Sequence, residues 1–178
     1  MKSVHGKCTT CAMLSGIRRH EGSAKRREAI SRLFLLHRMS FMAERRGYYK
    51  RRMQAAEDPE NFMSVIMDGM AQSHSELPYQ GGLNEFSKKL KCHLQGAIMH
   101  GKGFTVYRTY HNVKPGSNLA IYVWLSQLEA LMQGNGGKLP DTVYLQIDGG
   151  AENANFSLLA IAELLVAKKL TRKVIITP

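Results

Sequence analysis

A change of period at residues 57–60 constrains the fold of this chain more than any other feature. Between residues 24 and 56 there is no proline and one glycine, Gly47, while Ile30, Leu33, Phe34, His37, Phe41 and Tyr48 recur three, four or seven positions apart. That spacing predicts a long amphipathic helix with a break expected near Gly47. The segment Glu57-Asp58-Pro59-Glu60 reverses the charge and stops the helix. After it the apolar residues come as short, partly β-branched runs, the signature of strands. A helical segment, residues 1–56, is therefore expected to precede an α/β domain, residues 57–178.

The runs can be ordered. Residues 62–67 read as a buried strand entering a turn at Asp68-Gly69, and a polar stretch with Pro78 and Gly81-Gly82 reads as an insertion with one short helix around 83–90. Residues 92–99 and 104–110, joined by His100-Gly101-Lys102-Gly103, form a hairpin pattern. A helix over 118–132 follows, with Ser117 as N-cap and Gly134 as stop. Then come a strand over 142–147 ending in Asp148-Gly149, a helix over 155–170 and a strand over 173–177. The expected sheet is mixed: three antiparallel strands, then two parallel strands reached by right-handed helical crossovers. If the fourth strand pairs with the first, Asp68 and Asp148 stand side by side at carboxyl ends of parallel strands, where open α/β sheets place their ligands.

Charge divides unevenly along the chain. The net charge is +11, and residues 1–56 hold 14 Lys and Arg against three acids, Glu21, Glu28 and Glu44, whereas the remainder is balanced. Arginine outnumbers lysine in the basic segment, and Arg45, Arg46, Arg51 and Arg52 lie among Tyr48 and Tyr49. Guanidinium forks match phosphate geometry and stack on bases, so these four are the candidate nucleic-acid contacts; a solvated basic helix with no partner is the plainer alternative. No apolar run approaches the about 20 residues that span a bilayer, and no N-terminal apolar stretch suggests secretion.

Two constellations can carry chemistry. Adjacent carboxylates repel unless a cation lies between them, so Asp68 with Asp148 suits Mg²⁺ or Mn²⁺, and a two-metal arrangement performs in-line phosphoryl transfer. Each Asp-Gly pair taken alone is also good turn chemistry. Glu152 is the nearby acid that could join them, or a first-turn glutamate favoured by the helix dipole. Cys8-Thr9-Thr10-Cys11 has zinc-knuckle spacing with two ligands; His5, His20 or His37 could add another. Zn²⁺, two reduced thiols and a redox disulfide all remain open for that pair. His37 sits on the apolar stripe, where a packed histidine is equally expected; Cys92 is expected in the core, Trp124 and Tyr122 are expected to pack, and His74, His93, His100 and His111 to lie at the surface or in the hairpin.

The sequences Ser64-Val65-Ile66-Met67-Asp68-Gly69-Met70 and Tyr144-Leu145-Gln146-Ile147-Asp148-Gly149-Gly150-Ala151-Glu152-Asn153, in this order of elements, resemble the ribonuclease-H-like core of DDE transposases and integrases. More narrowly, they are similar to a transposon-derived family of animal genomes in which a Cys-x-x-Cys and a basic helix precede such a core. The resemblance implies metal-dependent DNA cleavage and strand transfer, with Asp68 and Asp148 as the first two carboxylates. It implies DNA as partner, a homo-oligomer, and a nuclear or nucleocytoplasmic site of action. It places the third acid on a helix after the fifth strand, beyond Pro178, so a fragment or decayed element without activity is expected. Two other classes stay open: a transposase-derived protein that binds nucleic acid without catalysis, and a small nucleotide-binding α/β protein using the Gly149–Glu152 turn, which lacks the phosphate-loop fingerprints.

Overall fold

The computed structural model describes residues 8–70, 90–110, 112–147 and 155–177. The chain divides into two units, Met1–Lys50 and Arg51–Pro178. In the first, α1 (Thr9–His20) is followed by α2 (Ala24–Glu57), whose last turns belong to the second unit. The second continues with β1 (Phe62–Gly69), β2 (Cys92–Met99), β3 (Gly103–Tyr110), α3 (Ser117–Gly134), β4 (Thr142–Ile147), α4 (Phe156–Ala167) and β5 (Lys173–Thr177).

Helix α2 passes through Gly47 without the expected break, since one glycine costs only about 1 kcal/mol inside a helix rich in Ala, Arg, Leu and Glu. Helix α1 was not expected, because Thr9, Thr10 and Gly16 depress helix propensity. The stripe predicted on α2 is only half sheltered: Ile30, Phe34 and His37 are partly buried, while Leu33 and Phe41 are exposed.

The second unit is of the α/β class. Its five strands run in the order β3-β2-β1-β4-β5, with β1, β2 and β3 antiparallel in sequence and β4 and β5 parallel to β1 and to each other. Alternation decides the faces. Met63, Val65 and Met67 on β1 and Val143, Leu145 and Ile147 on β4 join Val123, Trp124 and Leu128 of α3 and Leu158, Ala162 and Leu165 of α4 in one core. The intervening residues differ in environment: Tyr144 stacks on Phe62 with ring centroids 6.2 Å apart and donates to Gln54 Oε1 (3.4 Å). Arg51 lies over the same Tyr144 ring and donates to Thr177 Oγ1 (2.8 Å), and Ala55 is buried. The compact unit thus begins at Arg51, although the helix itself ends near the expected boundary.

Caps are local. Asn155 accepts the Leu158 amide through Oδ1 (2.9 Å) and starts α4. Helix α3 has Gly116 at its N-cap and Ser117 as its first residue. The short helix expected around 83–90 lies, except for Leu90, outside the described residues.

Candidate functional site: a thiol–imidazole cluster and the carboxyl end of β1 and β4

Helix α1 starts where Cys8 occupies its N-cap position, with the Ala12 amide donating to the Cys8 carbonyl (3.0 Å). One turn on, Cys11 falls on the same side. Glu21 closes the connection to α2: its carboxylate accepts the Ser23 amide (2.9 Å) and its carbonyl accepts Arg27 Nη2 (2.9 Å). The return brings His37 to Cys8, with Nε2 3.0 Å from Sγ. The ligand atoms of Cys8, Cys11 and His37 all lie within 4.8 Å of one another, so this cluster can hold a metal ion. Spacing alone suggested Cys8 with Cys11; selecting His37 from three histidines required the turn at residues 21–23.

The two thiols differ. The Cys11 backbone amide and then the His37 ring favour the Cys8 thiolate, lowering its pKa to about 7, whereas desolvation and the neighbouring Cys8 push Cys11 up. Cys92 is buried in β2. With EDTA present, iodoacetamide is therefore expected to modify Cys8 first, at a rate that climbs with pH through about 7 and then levels, because the thiolate is the nucleophile. Peptide mapping across a pH series checks this; equal labelling of Cys8 and Cys11 at neutral pH would contradict it.

The other location is the carboxyl end of the parallel strands. Met67 pairs with Ile147 in the β1–β4 ladder, and Asp68, which pairs with Gly96 across the β1–β2 ladder, is exposed. Asp148 and Glu152, with the Gly149–Glu152 turn, lie outside the described residues, as do His5, His74 and His111. A cleft of about 590 Å³ lined by Lys138, Asp141 and Arg172 lies beside the beginning of β4, at the opposite end of the ladder from Asp68.

Among the basic candidates, Arg45, Arg46 and Arg52 are exposed and Arg51 is half-buried in the contacts to Tyr144 and Thr177. Arg45 lies over both Phe41 and Tyr49 and donates to the Tyr49 hydroxyl (3.3 Å). His100, expected at the surface or in the hairpin, lies in the hairpin turn and is buried: its amide donates to the Ser64 carbonyl (2.9 Å), Nδ1 is 3.0 Å from Ser64 Oγ, and burial lowers its pKa. Sequence periodicity carries no sign of that contact, because Ser64 and His100 meet only through the β1–β2 pairing. Trp124 packs fully in the core, whereas Tyr122 is largely exposed with its ring edge-on to Tyr107.

The sheet and its crossovers define a protein of the α/β class. Within that class, a family described as a domain of unknown function, DUF7869, matches residues 84–177, and the chain belongs to this family. The match covers β2 to β5, while Asp68 and the Cys8–Cys11–His37 cluster precede it. No curated protein matches the chain. Among the described residues no helix is long and apolar enough to cross a membrane.

Proposed function

We propose that residues 57–178 form a ribonuclease-H-like core of the transposase and integrase type, in which Asp68 and Asp148 hold Mg²⁺ or Mn²⁺ beside a DNA backbone. One observation carries this reading: the parallel register pairs Met67 with Ile147, and in sequence the next residues are Asp68 and Asp148. The strand order β3-β2-β1-β4-β5 with crossovers through α3 and α4 is the order such a core uses, and the exposed Asp68 carboxylate is a hard oxygen donor suited to these cations. When bound, the cations would activate an attacking oxygen and stabilise a leaving one. The chain's own residues would orient the polymer: Arg45, Arg46 and Arg52 offer forked donors to phosphates, and Glu152 is the candidate third acid. Zn²⁺ is the ion matched by the two thiolates and one imidazole of the N-terminal cluster.

A second reading, nucleic-acid binding without catalysis, is favoured by a separate observation: the exposed arginines precede the core and need no carboxylate. One experiment separates them. The full chain, Asp68→Asn and Asp148→Asn are titrated with Mn²⁺ and with a duplex oligonucleotide, and assayed for Mg²⁺-dependent plasmid nicking. The core reading expects Mn²⁺ affinity to fall at least about 10-fold in each variant, since each removes a charged oxygen ligand. Oligonucleotide binding that persists in a wild-type chain with no Mn²⁺ affinity would instead establish the non-catalytic reading.

A further inference from the structure

We infer that Zn²⁺ bound by Cys8, Cys11 and His37 folds α1 onto α2, so that the N-terminal hairpin is a metal-stapled unit and not one held by a core. This rests on the reading that the cluster takes zinc and adds what the ion does there.

Among its described residues, the first unit has the helices of a domain and lacks an interior. No residue of α1 is buried, and the only buried residue of α2, Ala55, belongs to the second unit. Met13 and Ile17 on α1 and Leu33, Leu35, Leu36 and Met39 on α2 are each about half exposed or more. A segment of this size without a core ordinarily needs a disulfide, a metal or a partner to hold it. Helix α1 is the weaker half: it has 12 residues, two leading threonines and an internal glycine, and isolated helices shorter than about 12–15 residues are marginal in water. Within the unit, basic residues also outnumber acids on both helices, which disfavours a close approach of α1 to α2.

Against this stands one converging feature. Tetrahedral zinc with Zn–S of about 2.3 Å and Zn–N of about 2.0 Å puts its ligand atoms about 3.5–3.8 Å apart. Cys8 Sγ and His37 Nε2 are 3.0 Å apart and the whole set lies within 4.8 Å, so side-chain movements of about an ångström complete three corners of a tetrahedral site. Two ligands come from α1 and its cap and the third from α2, so the ion closes the hairpin as it binds. Closure has a consequence for charge: Arg18 of α1 and Arg38 of α2 both lie over the Phe34 ring, at 5.6 and 5.9 Å from its centroid. Zinc would thereby add the basic end of α1 to the arginine-rich face of α2.

The test uses the full chain, stripped with chelator and titrated with Zn²⁺. Affinity is read by competition with a chromophoric chelator, and Co²⁺ substitution reports thiolate ligation through its charge-transfer absorption. Hydrogen exchange is followed in α1, with β4 as the internal reference. Expected are one ion per chain, at least about 100-fold slower exchange in α1 with zinc, and no change in β4, because the binding free energy of a structural zinc appears as folding free energy. Cys11→Ser and His37→Gln should each lose the slowing. Zinc that binds through thiolates while α1 exchange stays unchanged overturns the folding inference and leaves the zinc site standing. Absence of binding overturns both.

Discussion

Replacing Trp124 with alanine is expected to destabilise the second unit by about 3–5 kcal/mol, the range for truncating a large buried aromatic. Trp124 is fully buried on α3 and belongs to the cluster in which that helix meets the odd-numbered residues of β1 and β4. Its loss therefore leaves a void at the layer that fixes the β1–β4 ladder. Phenylalanine should cost distinctly less: it retains an aromatic ring and removes an indole N–H that has no acceptor among the described residues. Urea denaturation followed by hydrogen exchange in β1 and β4 measures both. Equal losses for the two variants would mean that the indole N–H is satisfied and that the ring is held by more than packing. The variant also bears on function, since loosening β1 against β4 would weaken Mn²⁺ affinity wherever Asp68 and Asp148 share an ion.

Most strands of the sheet were legible as short runs with Gly, Asp or Pro near an end, and 92–99, 142–147 and 173–177 coincide with β2, β4 and β5, whereas Asp68-Gly69, expected as a turn, continues β1. The helical crossover into the fourth strand left its pairing with the first as one possibility, and the β1–β4 ladder has that parallel pairing. What the pattern could not supply was contact between remote turns. His100 looked like one more hairpin histidine, yet the antiparallel register sets it against Ser64 and takes it out of water. Arg51 looked like its exposed neighbours, yet one turn of helix directs it to Tyr144 and Thr177. Helix α1 is not legible in the sequence for a different reason. Its residues favour a helix only weakly, and what distinguishes it is the meeting of Cys8 and Cys11 with a histidine far along the chain, an interaction with no periodicity.

Gly101 is the second position where one substitution should have a large effect. It lies in the β2–β3 turn at φ +80°, and a Cβ built there would come within 3.1 Å of the Ala56 Cα and 3.5 Å of the Ala55 carbonyl oxygen. Both obstacles are backbone, so they cannot rotate aside. Alanine therefore meets two separate costs: about 1–2 kcal/mol for the left-handed conformation, and about 1–3 kcal/mol for pushing the turn from the end of α2. Gly137 separates the two, since it has the same φ of +80° and an added Cβ there would meet nothing within 4 Å. Gly137→Ala should cost only the conformational part, and the excess of Gly101→Ala over it measures the contact between the hairpin and α2. That contact also holds the turn bearing His100, whose ring reaches the Ser64 hydroxyl. The Gly101 variant should accordingly speed exchange at the His100 amide, whose acceptor is the Ser64 carbonyl, more than at the amides of β5. Equal destabilisation by the two alanines would show that the hairpin turn can move away from residues 55–56 at no cost, and the last turns of α2 would then contribute nothing to fixing β2 and β3.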